Sequence, residues 1–144
     1  GCKNNPQCNS KQNKYAHLHR HVILPAFLVA SAILSFYLEF EDVLVSGEKV
    51  ETRPGWSSPF FKSHKKALDQ NLFIRVWCGR KGRQIGYCLY HSIHQERLGD
   101  ITRENLVDEG RGNMSVHTWM SKYMRGCTVH TLVYVVRFTF IPLA

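Results

Sequence analysis

The sequence of 144 residues lacks the short motifs that mark several common enzyme classes. It contains no glycine-rich P-loop, no G-x-S-x-G nucleophile turn and no H-E-x-x-H zinc motif, so those classes have no support. Its five cysteines are odd in number and form no C-x-x-C pair, which favours free thiols in a reducing compartment over a disulfide framework. We therefore expect an intracellular protein, cytoplasmic or nuclear.

Long apolar runs are also missing, apart from residues 22–38, VILPAFLVASAILSFYL. This uncharged stretch is seventeen residues long, at the lower limit for a membrane-spanning helix, and Pro25 interrupts it. The Lys and Arg residues before it resemble the start of a signal peptide, so a signal or short anchor is the alternative reading. We favour buried core, because short apolar runs are more often core than membrane, and we expect no membrane partner.

Positive charge, by contrast, is in excess. The chain has 19 Lys and Arg residues against 11 Asp and Glu residues, a formal net charge of +8. Residues 53–95 hold eight Lys or Arg residues and a single acid, Asp69. Because a basic surface attracts polyanions, this distribution indicates nucleic acid as a partner, and a generally basic surface without such a partner is the alternative.

Periodicity and turn residues divide the chain into three parts. Residues 1–21 are polar and predict a flexible leader, residues 22–32 form an apolar lead-in, and residues 33–144 form the domain. The first half of the domain is predicted to contain a strand over 33–36, a short helix ended by Gly47, a strand over 49–53, and a loop with one helical turn in SSPFFKSHKKALDQ. The second half is predicted to contain a hairpin around R-K-G-R, two helices capped by Thr102 and Ser115, and a last strand TLVYVVRFTFI. About five or six strands with two or three short helices indicate a small α+β barrel.

The histidines of the leader suggest a metal site that the spacing does not support. His17, His19 and His21 would share one side of an extended strand, and Cys2 and Cys8 could add thiolates. This set matches no standard zinc module, so zinc binding stays a hypothesis and we predict neither a metal site nor a cofactor.

The remaining cysteines allow a second alternative. Cys78, Cys88 and Cys127 lie in or near apolar segments, where cysteine is usually a small core residue. A catalytic Cys–His pair would need a histidine that the fold brings close, and the sequence selects none. We therefore read these three cysteines as packing residues.

The stretch G-E-K-V-E-T-R, residues 47–53, crowds charges of both signs. In an extended chain Lys49, Glu51 and Arg53 point to one face, and Val50 and Thr52 to the other. If that face is partly buried, a polar ligand such as a nucleobase or phosphate could complete the charge pairing. A solvated turn with exposed ion pairs is the alternative.

The order of several blocks resembles the ASCH domains, the activating signal cointegrator homology family. LSFYLEFEDVLVSGEKVETRPGW resembles their opening strand, helix and G-x-K-x-x-E-x-R signature. DITRENLVDEG, MSVHTWMSKY and VYVVRFTF resemble their later helices and closing strand, so the resemblance covers residues 33–141. It implies a PUA-like barrel with a polar cleft that binds RNA or a nucleotide.

The resemblance also implies site residues. The expected ligand-binding set is Gly47, Lys49, Glu51, Arg53, Trp56, Glu109 and Arg137. A basic rim of Lys65, Lys66, Arg80, Lys81 and Arg83 would attract the RNA backbone. GWSSPFFKSHKKALDQNLFIRVW and the later GRQIGYCLYHSI bear a fainter resemblance to YTH domains, PUA-related readers of methylated adenine. This resemblance makes Trp56 and Trp77 candidates for an aromatic cage, and the alternative is that both are core aromatics.

An enzyme is the alternative that the family implies. Some ASCH proteins remove the acyl group of N4-acetylcytidine with a Lys, a Thr three residues later and a Glu, which would be Lys49, Thr52 and Glu109 here. Only Val50 separates Lys49 from Glu51, one residue fewer than in the signature, and the alternation places Glu51 rather than Thr52 beside Lys49. We therefore expect binding rather than acyl transfer. A ribonuclease using Lys49, Glu109 and a histidine is the other enzymatic alternative.

Overall fold

The structure is a computed structural model, and it describes residues 23–143. The predicted leader, with its histidines and the zinc hypothesis that rests on them, lies outside the described residues. The apolar stretch 22–38 contains a strand, Val29–Phe36, and a 3-10 turn, Ala26–Leu28, precedes that strand. None of the helices in residues 23–143 has the length and apolarity that a membrane crossing requires.

Five strands of the described chain form one mixed sheet. They are β1 (Val29–Phe36), β2 (Glu51–Thr52), β3 (Phe73–Cys78), β4 (Arg83–Arg97) and β5 (Leu132–Pro142), in the spatial order β1-β3-β4-β5-β2. β1 is parallel to β3, and the other neighbours are antiparallel. The α+β class, the hairpin and the number of strands are as the sequence predicted.

The sheet is open between its two outer strands. β1 and β2 lie at opposite ends of the strand order, and no pairing joins them within residues 23–143. β2 is only two residues long, and Pro54, which has no backbone N–H, follows soon after it. The strands predicted as a barrel are therefore not linked by hydrogen bonds at this position.

Within residues 23–143, four α-helices connect the strands: α1 (Glu41–Val45), α2 (Ser58–Asp69), α3 (Arg103–Asp108) and α4 (Val116–Tyr123). Two further 3-10 turns cover Leu38–Phe40 and Leu98–Asp100. The side chains of Thr102 and Ser115 accept hydrogen bonds from the first turns of α3 and α4, which confirms both predicted caps.

Helix α2 differs from the prediction of a loop with one helical turn. It runs for 12 residues. Pro59 does not interrupt it, because this proline lies in the first turn, where a missing backbone N–H is tolerated. His64 and Ala67, three residues apart, are buried against the sheet. Packing, rather than a strongly apolar sequence, therefore stabilises this helix.

The core formed by the described residues contains two clusters that share Tyr123. The larger lies on the sheet and includes Leu34, Ile74, Val76 and Phe138. The smaller lies under the helices that follow β4, and is made of Leu98, Ile101, Leu106, Trp119 and Val133. The partly buried Tyr123 packs against both clusters, so α4 joins the helical end of the molecule to the sheet.

A buried histidine connects α2 to the sheet. His64 is 2% exposed, and its Nδ1 lies 2.7 Å from the hydroxyl of Tyr90. The ring of Trp56 stacks on His64 with the centroids 4.1 Å apart. Burial lowers the pKa of His64 from 6.5 to about 4, because the charged imidazolium would lose its hydration.

We expect this histidine to make the fold sensitive to acid. Between about pH 6.5 and 4 the unfolded chain binds a proton at His64 that the folded chain does not, so the free energy of unfolding falls as the pH falls through this range. Urea unfolding should give a loss of about 2 kcal/mol from this group between pH 7 and 5. His64→Phe keeps a ring stacked on Trp56 and should reduce the difference between the free energies of unfolding at pH 7 and pH 5. His117→Phe, on the exposed part of α4, should leave that difference unchanged. An unchanged difference in His64→Phe would contradict the assignment.

Candidate functional site

A cavity of about 830 Å³ lies at the opening of the sheet. Leu34, Ser35 and Phe36 of β1 line one side of it, and Thr52 of β2 lines the other. Its walls carry five aromatic side chains: Phe36, Tyr37, Phe40, Trp119 and Tyr123. Its polar surface carries three buried charged side chains: Lys49, Arg53 and Glu109. The cavity therefore occupies the position where a closed barrel would have paired β1 with β2.

Lys49 is fixed by its backbone and by its ammonium group. Its backbone N–H donates to the carbonyl oxygen of Val43 in α1. Its Nζ donates to the backbone oxygens of Glu51 and Glu109, at 2.9 and 3.0 Å, and to Oε1 of Glu109 at 2.8 Å. The residue is 1% exposed, and this burial lowers the pKa of Lys49 although Glu109 opposes the shift.

Arg53 connects the two buried carboxylates. Its Nη1 lies 2.6 Å from Oε1 of Glu51 and 2.7 Å from Oε2 of Glu109. The second oxygen of Glu51 accepts from Arg137 on β5 at 2.6 Å, and Arg137 also pairs with Asp108 at 3.1 Å. Nη2 of Arg53 is buried and has no hydrogen-bond partner within residues 23–143.

Glu109 reaches the cavity because of how α3 ends. Glu109 is the C-cap, and Gly110 follows with a φ of +78°. The N–H groups of Gly110 and Arg111 donate to the carbonyls of Val107 and Leu106, the pattern of a Schellman motif. A Cβ on Gly110 would lie 3.1 Å from Cβ of Lys49 and 2.9 Å from Cγ2 of Val43, so only glycine lets the helix end approach Lys49 this closely.

The structure brings together most of the charged residues that the sequence selected. Lys49, Glu51, Arg53 and Glu109 form one buried cluster, as the alternation suggested for the first three. Thr52 departs from the alternation, because it lines the same cavity as Lys49 and Arg53. Glu51 contacts Arg53 but does not line the cavity. The extended segment ends directly after Thr52, so regular alternation does not continue to Arg53.

The other predicted ligand-binding residues lie outside this cavity. Gly47 lines a separate depression with Glu48 and Asp108. Arg137 contacts the cluster only through Glu51 and Asp108. Trp56 stacks on His64, and neither it nor Trp77 is among the residues that line the cavity.

The predicted basic rim divides into two groups. Arg80 lines the cavity, and Lys81 and Arg83 follow it in the exposed turn of the β3–β4 hairpin, where Arg83 pairs with Glu41. Lys65 and Lys66 lie on α2, which contributes no residue to the cavity lining, and Lys65 pairs with Asp69 at 2.6 Å. The turn is thus the part of the rim that borders the cavity.

The zinc hypothesis concerns leader residues outside 23–143, whereas Cys78, Cys88 and Cys127 lie within the described chain. No group of three or more His, Cys, Asp or Glu residues in 23–143 could hold a metal ion. Cys78 and Cys88 are buried, and burial raises the pKa of both thiols, which disfavours the reactive thiolate. No histidine of the described chain lines the cavity.

Sequence reasoning missed the aromatic walls. Phe36, Tyr37 and Phe40 come from one short stretch, F-Y-L-E-F, and Trp119 and Tyr123 come from α4. Their spacing of three and four residues is the signal of a buried helical face, and nothing in it separates a core wall from a cavity wall.

Two solved structures share this architecture. A crystal structure of an ASCH domain from Lactobacillus crispatus JV V101 has 15% identity and a TM-score of 0.55, and the match covers 77% of this chain and 80% of that one. The chain has the fold of an ASCH domain. A crystal structure of a DUF984 protein from Enterococcus faecalis V583 has 12% identity and a TM-score of 0.54, over 92% of this chain and 86% of that one.

This ASCH-type fold confirms, at the level of architecture, the resemblance carried by the sequence blocks. It places the G-E-K-V-E-T-R stretch at the opening of the sheet, where Lys49, Thr52 and Arg53 line the cavity. No protein-family model and no curated protein matches the sequence.

We expect Glu109 to hold the cluster together. Glu109→Gln removes the charge that faces both Lys49 and Arg53, and an uncompensated buried charge costs about 3 kcal/mol or more. The adjacent variant Asp108→Asn removes an equal charge from a partly exposed pair with Arg137 and should cost less than about 1 kcal/mol. Urea unfolding of both variants at pH 7 measures the difference, and equal losses would contradict the role of Glu109.

Proposed function

We propose that this domain binds RNA or a modified nucleotide by taking one base into the cavity between β1 and β2. The observation that carries the proposal is Nη2 of Arg53, a buried charged donor on a cavity-lining residue without a partner in the described chain. Buried donors of this kind are rare in folded proteins, because leaving one unpaired is costly. A ligand that offers an acceptor to Nη2 would remove this cost.

The size and walls of the cavity fit a flat ring. A volume of about 830 Å³ is within the usual range of small-molecule sites. Tyr37 and Tyr123 on its walls provide aromatic faces on which a base can stack. The buried charges at one end supply polar contacts that orient such a ligand.

The charge around the cavity fits the rest of a nucleotide. Arg80 lines the cavity, and the exposed turn that contains it carries Lys81 and Arg83. Phosphate groups that stay outside the cavity would meet this turn, and the net charge of +8 favours approach of a polyanion. We therefore assign the backbone contacts to the β3–β4 turn.

Binding of a short single-stranded RNA, measured by fluorescence anisotropy, tests the proposal. Arg53→Lys keeps the charge but removes the free Nη2 donor, and should weaken binding about tenfold. Arg97→Lys, on an exposed arginine at the end of β4, is the matched control and should bind as the wild type does. Circular dichroism establishes that both variants fold. Wild-type affinity in Arg53→Lys would refute the proposed site.

One observation favours a second candidate, a hydrolase acting on an N-acylated nucleoside. Lys49, Thr52 and Glu109, the three residues that the family resemblance implies for this chemistry, line the same cavity. Burial lowers the pKa of Lys49, which is the direction that a general base requires. The hydroxyl of Thr52 makes no hydrogen bond within residues 23–143 and is available to a ligand. The histidine-dependent ribonuclease has no corresponding support.

Incubation with N4-acetylcytidine separates the two candidates. If the domain is a hydrolase, chromatography should detect cytidine and acetate, and Thr52→Val, which replaces the hydroxyl with a methyl group, should slow their release about a hundredfold or more. Thr128→Val, in the loop before β5, is the control and should leave the rate unchanged. Nucleoside binding without turnover in the wild type would exclude the hydrolase and leave the binding function.

A further inference from the structure

Arg111 contacts three of the elements that form the cavity walls, although it does not line the cavity itself. Its Nη1 donates to the carbonyl oxygen of Gly110 after α3 at 2.9 Å. Its Nη2 donates to the carbonyl oxygen of Glu39, in the 3-10 turn before α1, at 3.0 Å. Its Nε donates to the hydroxyl of Tyr123 on α4 at 3.1 Å. These contacts fix the guanidinium group against the wall of the cavity.

Arg111 shares an aromatic ring with Lys49. The Cζ of Arg111 lies 4.2 Å from the ring centroid of Phe40, and the Nζ of Lys49 lies 4.5 Å from the same centroid. The side chain of Arg111 is 12% exposed and that of Lys49 is 1% exposed, so little solvent screens the two charges from each other. Because like charges repel, this arrangement favours loss of the proton from Lys49.

The charge of Arg111 is only partly neutralised by the described part of the chain. Its three hydrogen bonds all go to uncharged oxygen atoms. Its ion pair with Glu39 is long, at 3.8 Å from Nη2 to Oε2, and the same Oε2 accepts from Lys122 and from Tyr123 at 3.0 Å each. Arg53, by contrast, contacts carboxylate oxygens of two glutamates at 2.6 and 2.7 Å. Of these two arginines, Arg111 therefore keeps more of its positive charge unbalanced.

The other charged groups around Lys49 act in both directions. Glu109 at the end of α3 opposes loss of the proton, because its carboxylate contacts the ammonium group at 2.8 Å. Glu51 of β2 presents its backbone oxygen, and β1 and the 3-10 turn before α1 present uncharged aromatic rings. Burial lowers the pKa of Lys49 most, and Arg111 lowers it more than Arg53 does. This order agrees with the balance of charge at each arginine.

We infer that Arg111 is a positioning residue of the cavity, whose charge, held against the ring of Phe40, makes the ammonium group of Lys49 release its proton more readily. The inference deepens the proposed function and rests on it, because the hydrolase candidate needs Lys49 as a neutral amine. Since Arg111 does not line the cavity, it acts on a substrate only through Lys49.

Competitive acetylation of the full chain with a trace of acetic anhydride tests the inference without a ligand. Only a neutral amine reacts, so the rate at Lys49, relative to the exposed Lys62 in the same sample, follows the fraction of Lys49 that has lost its proton. Mass spectrometry gives this rate between about pH 6 and 11. Arg111→Gln removes the charge and keeps an amide donor. Its rate profile should move to higher pH, with a rate about fivefold lower than in the wild type below the midpoint.

Three further variants separate the charge of Arg111 from its packing. Arg111→Lys keeps the charge without the guanidinium fork, so it should restore most of the wild-type profile, which a purely structural role would not do. Arg111→Met is a second neutral variant, which should behave as Arg111→Gln does and replaces it if circular dichroism shows that Arg111→Gln does not fold. Arg103→Gln is the matched control, because Arg103 also donates to backbone carbonyls after α3, those of Gly112 and Met114. It should leave the Lys49 profile unchanged.

Three results would overturn the inference. They are an unchanged Lys49 profile in the neutral variants, an equal shift in Arg111→Lys, and a rate that changes by the same factor at every pH, which reports access of the reagent and not loss of the proton. None of them touches the proposed function, because no ligand is present. If the wild type neither binds nor hydrolyses a nucleoside and does not bind RNA, the proposed function fails while the acetylation profiles stand as measured.

Discussion

The bridge from Lys49 through Glu109 to Arg53 is the contact on which the rest of the site depends. Each of these side chains is almost completely removed from water, so each charge is stable only while its partner is in place. The bridge joins the segment after α1 to the C-terminal end of α3. Lys49 and Glu109, which make this contact, are 60 residues apart in the sequence. It thereby fixes the position of β2, which contributes only two residues to the sheet.

This arrangement explains how an open sheet can hold a defined cavity. Between β1 and β2 there is no ladder of backbone hydrogen bonds, yet Lys49 lies beside the ring of Phe36 on β1, with Nζ 5.6 Å from the ring centroid. The same Nζ is 4.5 Å from the ring centroid of Phe40. Contacts of this cation with aromatic faces thus cross the opening where strand pairing is absent, and they leave room for a ligand beside them.

The sequence predicted the composition of the buried cluster better than its geometry. Alternation and the ASCH-like blocks selected Lys49, Glu51, Arg53 and Glu109, which the structure joins. Thr52 was assigned to the opposite face, because alternation assumes a strand longer than the two residues of β2. Trp119 as part of the cavity wall could not be predicted, since spacing along a helix identifies a buried face but not what that face borders. Likewise, charge alone did not separate Arg80 at the cavity from Lys65 on α2.

The depth of the charged cluster has a further consequence for how the molecule responds to ionic strength. Mobile ions screen charges that they can approach, with a range of about 8 Å at physiological salt, and they hardly affect pairs from which solvent is excluded. Solvent is excluded from the buried cluster of Lys49, Glu51, Arg53 and Glu109, so salt hardly screens these charges. Salt does screen the exposed Arg80, Lys81 and Arg83. The domain therefore combines surface charges whose electrostatic field weakens as the salt concentration rises with buried ion pairs that salt hardly affects.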